Sequence, residues 1–75
     1  MSPKGNPAQG EKLNTIKDHL KKRGSSQRWL AEQTGIHFTT IAAFANQQRQ
    51  PSLTDLKKIS DALGVKMVEL IHQGE

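Results

Sequence analysis

Glycines interrupt the helical apolar spacing of this chain after two or three turns. Gly24, Gly35 and Gly64 each follow a segment in which apolar residues recur at intervals of three or four. Strand-like alternation of apolar and polar residues is missing, and tyrosine is absent. A chain of 75 residues has room for one domain with a small core. The sequence therefore predicts a single all-α domain built from short helices.

The apolar spacing predicts five short helices that follow a tail. Residues 1–10 hold two prolines and two glycines and almost nothing apolar, so we expect a flexible N-terminal tail there and the folded domain in residues 11–75. Ser26 and Ser52 are placed as N-caps of the second and fourth helices. The third helix should cover about residues 37–46, and the fifth Val65 to His72. The side chains assigned to the core are Leu13, Ile16, Leu20, Leu30, Ala31, Ile41, Phe44, Leu53, Leu56, Ile59, Ala62, Leu63, Met67, Leu70 and Ile71.

The second and third helices, with Gly35 between them, have the pattern of a helix-turn-helix. Gly35 can take a positive φ at little cost, which lets the chain turn sharply. Ala31 is small enough for the two helices to approach closely, and Ile36 should fill the space between them. A helix presented in this way can enter the major groove of DNA, which is about 12 Å wide.

The charge of the chain is unevenly distributed. Residues 1–49 carry eight Lys and Arg against three Asp and Glu, a net charge of +5, whereas residues 50–75 carry three against four, a net charge of −1. A basic first part suits a polyanionic partner. No apolar run approaches the roughly 18 residues of a membrane span, and no signal peptide is recognisable, so we expect a cytoplasmic protein with no membrane partner. Without cysteine, the chain can form no disulfide and no cysteine-based metal site.

An ordered set of motifs runs through about residues 13–71. In chain order the motifs are Ser26-Gln27, Leu30-Ala31, Gly35-Ile36, Thr40-Ile41, Asn46, Arg49, Pro51-Ser52-Leu53, Leu56, Ala62-Leu63-Gly64-Val65 and Leu70-Ile71. At these spacings the set resembles the Cro/C1-type (XRE) helix-turn-helix family. The resemblance implies a compact five-helix, lambda repressor-like DNA-binding domain of bacterial or phage origin. It further implies a transcription regulator, expected to be a repressor, that acts as a homodimer.

Four positions depart from the residues that are usual in that family. His37 replaces a small hydroxyl residue at the start of the third helix, and Ala45 replaces a glutamate. Gln47 replaces a glycine after that helix, and Lys66 replaces the Ser or Thr that caps the fifth helix. We expect the fold to tolerate all four. Because of them, the DNA target cannot be inferred by analogy.

The resemblance and helix geometry together place five side chains on the exposed face of the third helix as candidates for reading bases. They are His37, Phe38, Thr39, Ala42 and Ala43. The set contains no Arg, Lys, Asn or Gln for bidentate contact with a guanine or adenine edge. Apolar contact with thymine methyl groups suits most of it, and His37 could donate or accept a hydrogen bond, so we expect a T-rich half-site. Alternatively, the alanines are only good helix formers on a surface, and Phe38 packs on a neighbouring helix.

Seven side chains are expected to contact phosphates around that helix. They are Ser26, Gln27, Arg28, Thr40, Asn46, Gln48 and Arg49. Gln27 lies at a helix N-terminus, where backbone N–H groups favour an anion. For Ser26, capping alone is an equal alternative. The lysines of the first helix are expected to be a solvated face that adds a long-range attractive field.

Val68 and Glu69 are the expected dimer contact, as the family resemblance implies. Two recognition helices would then lie about 34 Å apart and read a palindrome. A single exposed valine is also ordinary on a monomer. Trp29, the only tryptophan, is expected to be half-buried against the first or fourth helix.

An enzyme is not expected, and neither is a cofactor or a metal site. His19, His37 and His72 fall on different segments, and no nucleophile–base pattern or glycine-rich phosphate loop occurs. The main alternative to a regulator is a protein-interaction module, such as an antitoxin that binds a partner protein as well as DNA. The apolar face of the third helix keeps that alternative open. A further alternative is non-specific nucleic-acid binding with a strong salt dependence.

Overall fold

The computed structural model describes residues 12–72, in which four α-helices precede one 3-10 helix. The α-helices are α1 (Ile16–Arg23), α2 (Gln27–Thr34), α3 (Phe38–Ala45) and α4 (Leu53–Leu63), and the 3-10 helix is Met67–Leu70. Within these described residues a single antiparallel bridge joins Asn14 to Ile71, and no strand forms. The all-α fold class is thus confirmed. The predicted tail, residues 1–10, lies outside the described residues.

Local signals set the ends of the helices. Ser26 Oγ accepts a hydrogen bond from the Trp29 N–H at 3.0 Å, and Ser52 Oγ accepts one from the Asp55 N–H at 3.2 Å. Both predicted N-caps are confirmed. Gly35 ends α2 with φ = 77°, a left-handed conformation that only glycine adopts without strain. The sharp turn between α2 and α3 follows from that residue.

One apolar cluster holds the helices together. Its buried members are Ile16, Leu20, Leu30, Ile41, Phe44, Leu56, Ile59, Leu63 and Leu70. Trp29 is half-buried against this cluster, as predicted, and so are Ala31 and Ile36. The core prediction is wrong for Leu13, Leu53 and Ile71, which are 46%, 76% and 45% exposed. Leu13 and Ile71 lie in extended chain outside the helices, and Leu53 is the first residue of α4.

The predicted fifth helix, residues 65–72, is instead the single 3-10 turn Met67–Leu70. The segment before α1 binds backbone groups of this region, including the His72 N–H, which an α-helix through residue 72 would donate to the Val68 carbonyl. Thr15 donates its N–H to the Leu70 carbonyl at 2.8 Å and its Oγ1–H to the Glu69 carbonyl at 2.7 Å. The His72 N–H then donates to the Leu13 carbonyl at 2.9 Å, so the chain leaves the turn extended. Of the helices in residues 12–72, none is long and apolar enough to cross a membrane.

Candidate nucleic-acid interface

His37 starts α3 as its N-cap, and its side chain is exposed. The Nδ1 atom accepts a hydrogen bond from the Thr39 N–H at 3.2 Å, and the Thr39 Oγ1 lies 2.9 Å from the same nitrogen. N-caps are usually Ser, Thr, Asp or Asn, whose side-chain oxygen makes this bond. The imidazole nitrogen therefore does here what a hydroxyl does in most of the resembling family.

The outer face of α3 carries small side chains. Thr39, Ala42 and Ala43 share this face because residues three and four apart are neighbours on a helix. Thr39 is exposed and the two alanines are half-buried, while Ile41 and Phe44 are buried on the opposite side. The structure thus brings three of the five predicted base-reading side chains, Thr39, Ala42 and Ala43, together on one face that carries no formal charge.

Phe38 differs from the other predicted base-reading residues because its ring is partly covered. The Arg28 Cζ lies 4.7 Å from the centroid of the Phe38 ring, within the range of a cation–π contact. Phe38 is half-buried, and Arg28 is exposed. A guanidinium stacked on a ring keeps its N–H donors free at its edge. The pair therefore presents a cation beside the face of α3.

An open groove of about 540 Å³ lies between α1 and the start of α2. Its lining residues are Lys17, Leu20, Lys21, Ser25, Ser26, Gln27, Arg28 and Phe38. It contains the predicted phosphate contacts of α2 together with two lysines of α1 that the sequence suggested only as a solvated face. Ser26 caps α2 through its oxygen, which leaves its hydroxyl hydrogen for an anion.

The loop after α3 follows the C-terminal end of that helix, where the Arg49 Cζ lies 5.8 Å from the centroid of the Phe44 ring. The Gln48 and Arg49 N–H groups both donate to the Ala43 carbonyl, at 2.9 and 3.2 Å, so only the side chains of these two residues remain for a phosphate. The Lys17 Nζ donates to the Asn46 Oδ1 at 3.4 Å. Lys17 therefore reaches from the groove between α1 and α2 to the loop after α3. Thr40 is half-buried within α3.

Gln47 is a structural residue of this loop that the sequence did not identify as such. Its φ is 65°, in the left-handed region that favours glycine. Its Oε1 accepts hydrogen bonds from the Leu13 N–H at 3.0 Å and the Asn14 N–H at 3.2 Å, and its Nε2 donates to the Asn14 carbonyl at 2.9 Å. The side chain thus ties a strained loop residue to the segment before α1. The only signal in the sequence was a glutamine where the family usually has glycine.

Asn14 completes this connection from the other side. Only 3% of the residue is exposed, and its Nδ2 donates to the Phe44 carbonyl and to the Gln50 Oε1, each at 2.9 Å. The C-terminal end of α3 and the loop after it are therefore fixed by two amide side chains. A lone asparagine ahead of a helix gave no sequence signal for this role.

The predicted dimer contacts lie on the 3-10 helix. Val68 is 57% exposed, and Glu69 is exposed beside it. The Glu69 Oε2 accepts a hydrogen bond from the Lys66 N–H at 3.2 Å, so this carboxylate caps the turn that Lys66 cannot cap with its own side chain. Contact of either residue with a second copy stays a prediction. Among residues 12–72 no group of three His, Cys, Asp or Glu side chains is placed to hold a metal ion.

Known proteins that are similar to this chain share its helix-turn-helix arrangement. A family model described as helix-turn-helix matches residues 16–70. None of the curated proteins compared matches the chain. Among solved structures, the chain is similar to a candidate DNA-binding protein from Bacteroides fragilis at 40% sequence identity and a TM-score of 0.76, over 80% of this chain and 97% of that one.

Two further structures are similar at lower identity. The restriction-modification controller protein C.AhdI from Aeromonas hydrophila is 26% identical, with a TM-score of 0.69 over 72% of this chain and 82% of that one. A hypothetical transcription factor, NHTF, from Neisseria is 25% identical, with a TM-score of 0.70 over 96% of this chain and 87% of that one. The family match covers most of the chain, and the predicted motifs lie where the helix-turn-helix needs them. The chain therefore belongs to the Cro/C1-type helix-turn-helix family.

Proposed function

We propose that this protein is a sequence-specific regulator of transcription that binds double-stranded DNA with α3 in the major groove. The observation that carries the proposal is the arrangement of charge around α3. Its outer face is small and uncharged, Arg28 stacks on Phe38 at the first residue of α3, and the exposed Arg49 follows its last turn, with its Cζ 5.8 Å from the centroid of the Phe44 ring. A face of this kind can approach base edges while the flanking donors hold phosphates. The solved relatives include a controller protein and a hypothetical transcription factor, which fits the same proposal.

The protein acts as a homodimer on a palindromic site. Two copies related by a two-fold axis would present two α3 helices to major-groove faces about 34 Å apart, through contacts at Val68 and Glu69. Repression needs only occupancy of a promoter, because a bound dimer excludes polymerase. The cytoplasm, where bacterial and phage DNA is transcribed, is the place of action.

Selection of bound duplexes from a random pool, at physiological salt, tests the proposal. We expect a recovered palindrome with half-sites about one helical turn apart. The phosphate contacts should make the affinity fall steeply with added salt. A pool that stays unenriched while binding disappears as salt rises would contradict sequence-specific regulation and support non-specific binding.

One observation favours a second candidate, a protein-interaction module of the antitoxin kind. Phe38, Ala42 and Ala43 give α3 an apolar component that a protein partner could cover. Against it, the stacked Arg28 already covers part of the Phe38 ring. A chain that fails to bind any duplex in low salt, yet folds, would favour this second candidate over DNA binding.

A further inference from the structure

The hydrogen bonds at the start of α3 fix the chemistry that His37 can show to a ligand. A backbone N–H can only donate, so the 3.2 Å bond from the Thr39 N–H requires an unprotonated, accepting Nδ1. The neutral ring must then carry its hydrogen on Nε2. In that tautomer the Thr39 Oγ1, 2.9 Å from the same Nδ1, is the donor of the contact between them. Both contacts belong to the cap, so the tautomer is set by the fold and not by the ligand.

We propose that His37 reads the major groove as an obligate hydrogen-bond donor through Nε2–H. The inference rests on the proposed function, because it places the exposed side of His37 against base edges. The sequence alone left His37 free to donate or accept, and the cap removes that freedom. A fixed donor suits the N7 and O6 atoms of guanine, the N7 of adenine and the O4 of thymine. It opposes the N4 amino group of cytosine, which is itself a donor.

The donor role of His37 changes the base sequence that we expect in a half-site. The apolar side chains of α3 favour thymine methyl groups, and a donor at its N-cap adds a preference that those side chains cannot supply. Guanine presents two acceptors side by side in the groove, so it should be the preferred base opposite His37. Cytosine at the same place on the same strand should be the least tolerated, because two donors would face each other without an acceptor.

The DNA test uses the best duplex from the selection, in fluorescence titrations at about pH 8, where imidazole side chains are ordinarily neutral. Each base pair of a half-site is replaced in turn, and each purine is replaced by its 7-deaza analogue, which lacks the N7 acceptor. We expect one position at which cytosine or loss of N7 weakens binding of the wild-type protein about three- to tenfold, the range for one hydrogen bond.

Two variants separate reading from capping. His37→Ser keeps a capping oxygen but has no donor that reaches as far as Nε2. It should fold like the wild-type protein and lose the preference at that one position. His37→Ala removes the cap as well, so it should lose the same preference and also unfold more easily. Wild-type discrimination retained by His37→Ser would overturn the proposal.

The tautomer can be measured without DNA. Long-range ¹H–¹⁵N correlation spectra of the imidazole distinguish a protonated from an unprotonated ring nitrogen, and we expect the hydrogen of His37 on Nε2. A hydrogen on Nδ1 would overturn the inference and leave the proposed function untouched. A wild-type protein with the expected tautomer but no sequence preference would overturn both.

Discussion

At Gln47 the backbone and the side chain have opposite effects on stability. A left-handed φ costs a residue with a Cβ on the order of 1 kcal/mol relative to glycine. The side chain offsets this cost with hydrogen bonds to Leu13 and Asn14, each contributing about 1 kcal/mol or less at a partly exposed site. Three such bonds outweigh the strain of one left-handed residue, so the folded state is more stable with glutamine than with glycine at this position. The residue is therefore a stabilising replacement for glycine in this chain.

Substitution of Gln47 tests this balance. Gln47→Gly relieves the strain but loses the bonds, so we expect the free energy of unfolding to fall by about 1 kcal/mol. Gln47→Ala loses the bonds and keeps the strain, so the fall should be about 2 kcal/mol. Urea unfolding followed by the fluorescence of Trp29 measures both. A glycine variant as stable as the wild-type protein would show that the side-chain bonds contribute nothing.

The stacking of Arg28 on the Phe38 ring is expected to affect DNA binding. If the ring orients the guanidinium toward DNA, removing either partner should weaken the effect of the other. We expect a double-mutant cycle of Arg28→Ala and Phe38→Ala to give a coupling of about 0.5–1 kcal/mol in the free energy of DNA binding.

Arg23 and Trp29 provide a matched control for that cycle. The Arg23 Cζ lies 4.5 Å from the Trp29 ring, a nearly identical stack that does not line the groove beside α3. Its cycle should show coupling in the free energy of unfolding and none in DNA binding. Equal coupling of both pairs in DNA binding would mean that the Arg28 stack acts only through the fold.

At the scale of helices, the sequence predicted those elements whose limits are set by neighbouring residues. Ser26 and Ser52 cap their helices, and Gly35 ends α2, because each acts within four residues of its own position. The last helix was overpredicted because the His72 N–H, which a helix would donate to the Val68 carbonyl, donates instead to the Leu13 carbonyl, more than fifty residues away in the chain. The spacing of apolar residues cannot predict a hydrogen bond between such distant parts of the chain.

The same distinction applies to the candidate site. Helix periodicity and the family resemblance were enough to place Thr39, Ala42 and Ala43 on one face. The roles of Asn14 and Gln47 depend on hydrogen bonds between residues thirty or more positions apart, and no local sequence pattern predicts such bonds. The tautomer of His37 could not be predicted for a different reason. It follows from the direction of the hydrogen bond between the Thr39 N–H and the His37 Nδ1, which the sequence does not specify.

Arg49, in the loop after α3, is expected to contact a phosphate. The backbone N–H groups of residues 48 and 49 both donate to the Ala43 carbonyl of α3, so we expect Arg49 to hold a phosphate through its guanidinium. Arg49→Ala should weaken binding to all duplexes alike and reduce the slope of log affinity against log salt by about 1. Lys58→Ala, on α4, makes the same charge change and should leave the slope unaltered. An Arg49 effect confined to one sequence would indicate base reading instead.

In the whole molecule, the helices that form the candidate DNA interface come from the basic part of the chain. The basic first part of the chain supplies α1, α2 and α3 with their flanking cations, while the weakly acidic remainder supplies α4 and the 3-10 helix. The first part of the chain therefore supplies the excess positive charge, and the 3-10 helix belongs to the part that carries none in excess. A surface without excess positive charge is the better place for two copies to meet on the same DNA, because like charges there would repel.

The proposed dimer separates binding of one half-site from binding of two. Val68→Asp puts a charge on a side chain that is 57% exposed, so the monomer should still fold. Its affinity for a single half-site should match that of the wild-type protein, because Val68 lies away from α3. Its affinity for the full palindrome should fall at least about tenfold, since the second copy no longer binds with the help of the first.

Gel-shift titrations of both duplexes measure that difference, and Gln33→Glu, on an exposed position of α2, controls for added negative charge. Equal losses on the two duplexes would place the effect of Val68→Asp in the fold or in DNA contact. An undiminished affinity for the palindrome would exclude Val68 from the dimer contact. Loss on the palindrome alone would support two copies that meet at or beside the 3-10 helix, because a residue outside the proposed DNA contact would then distinguish one half-site from two.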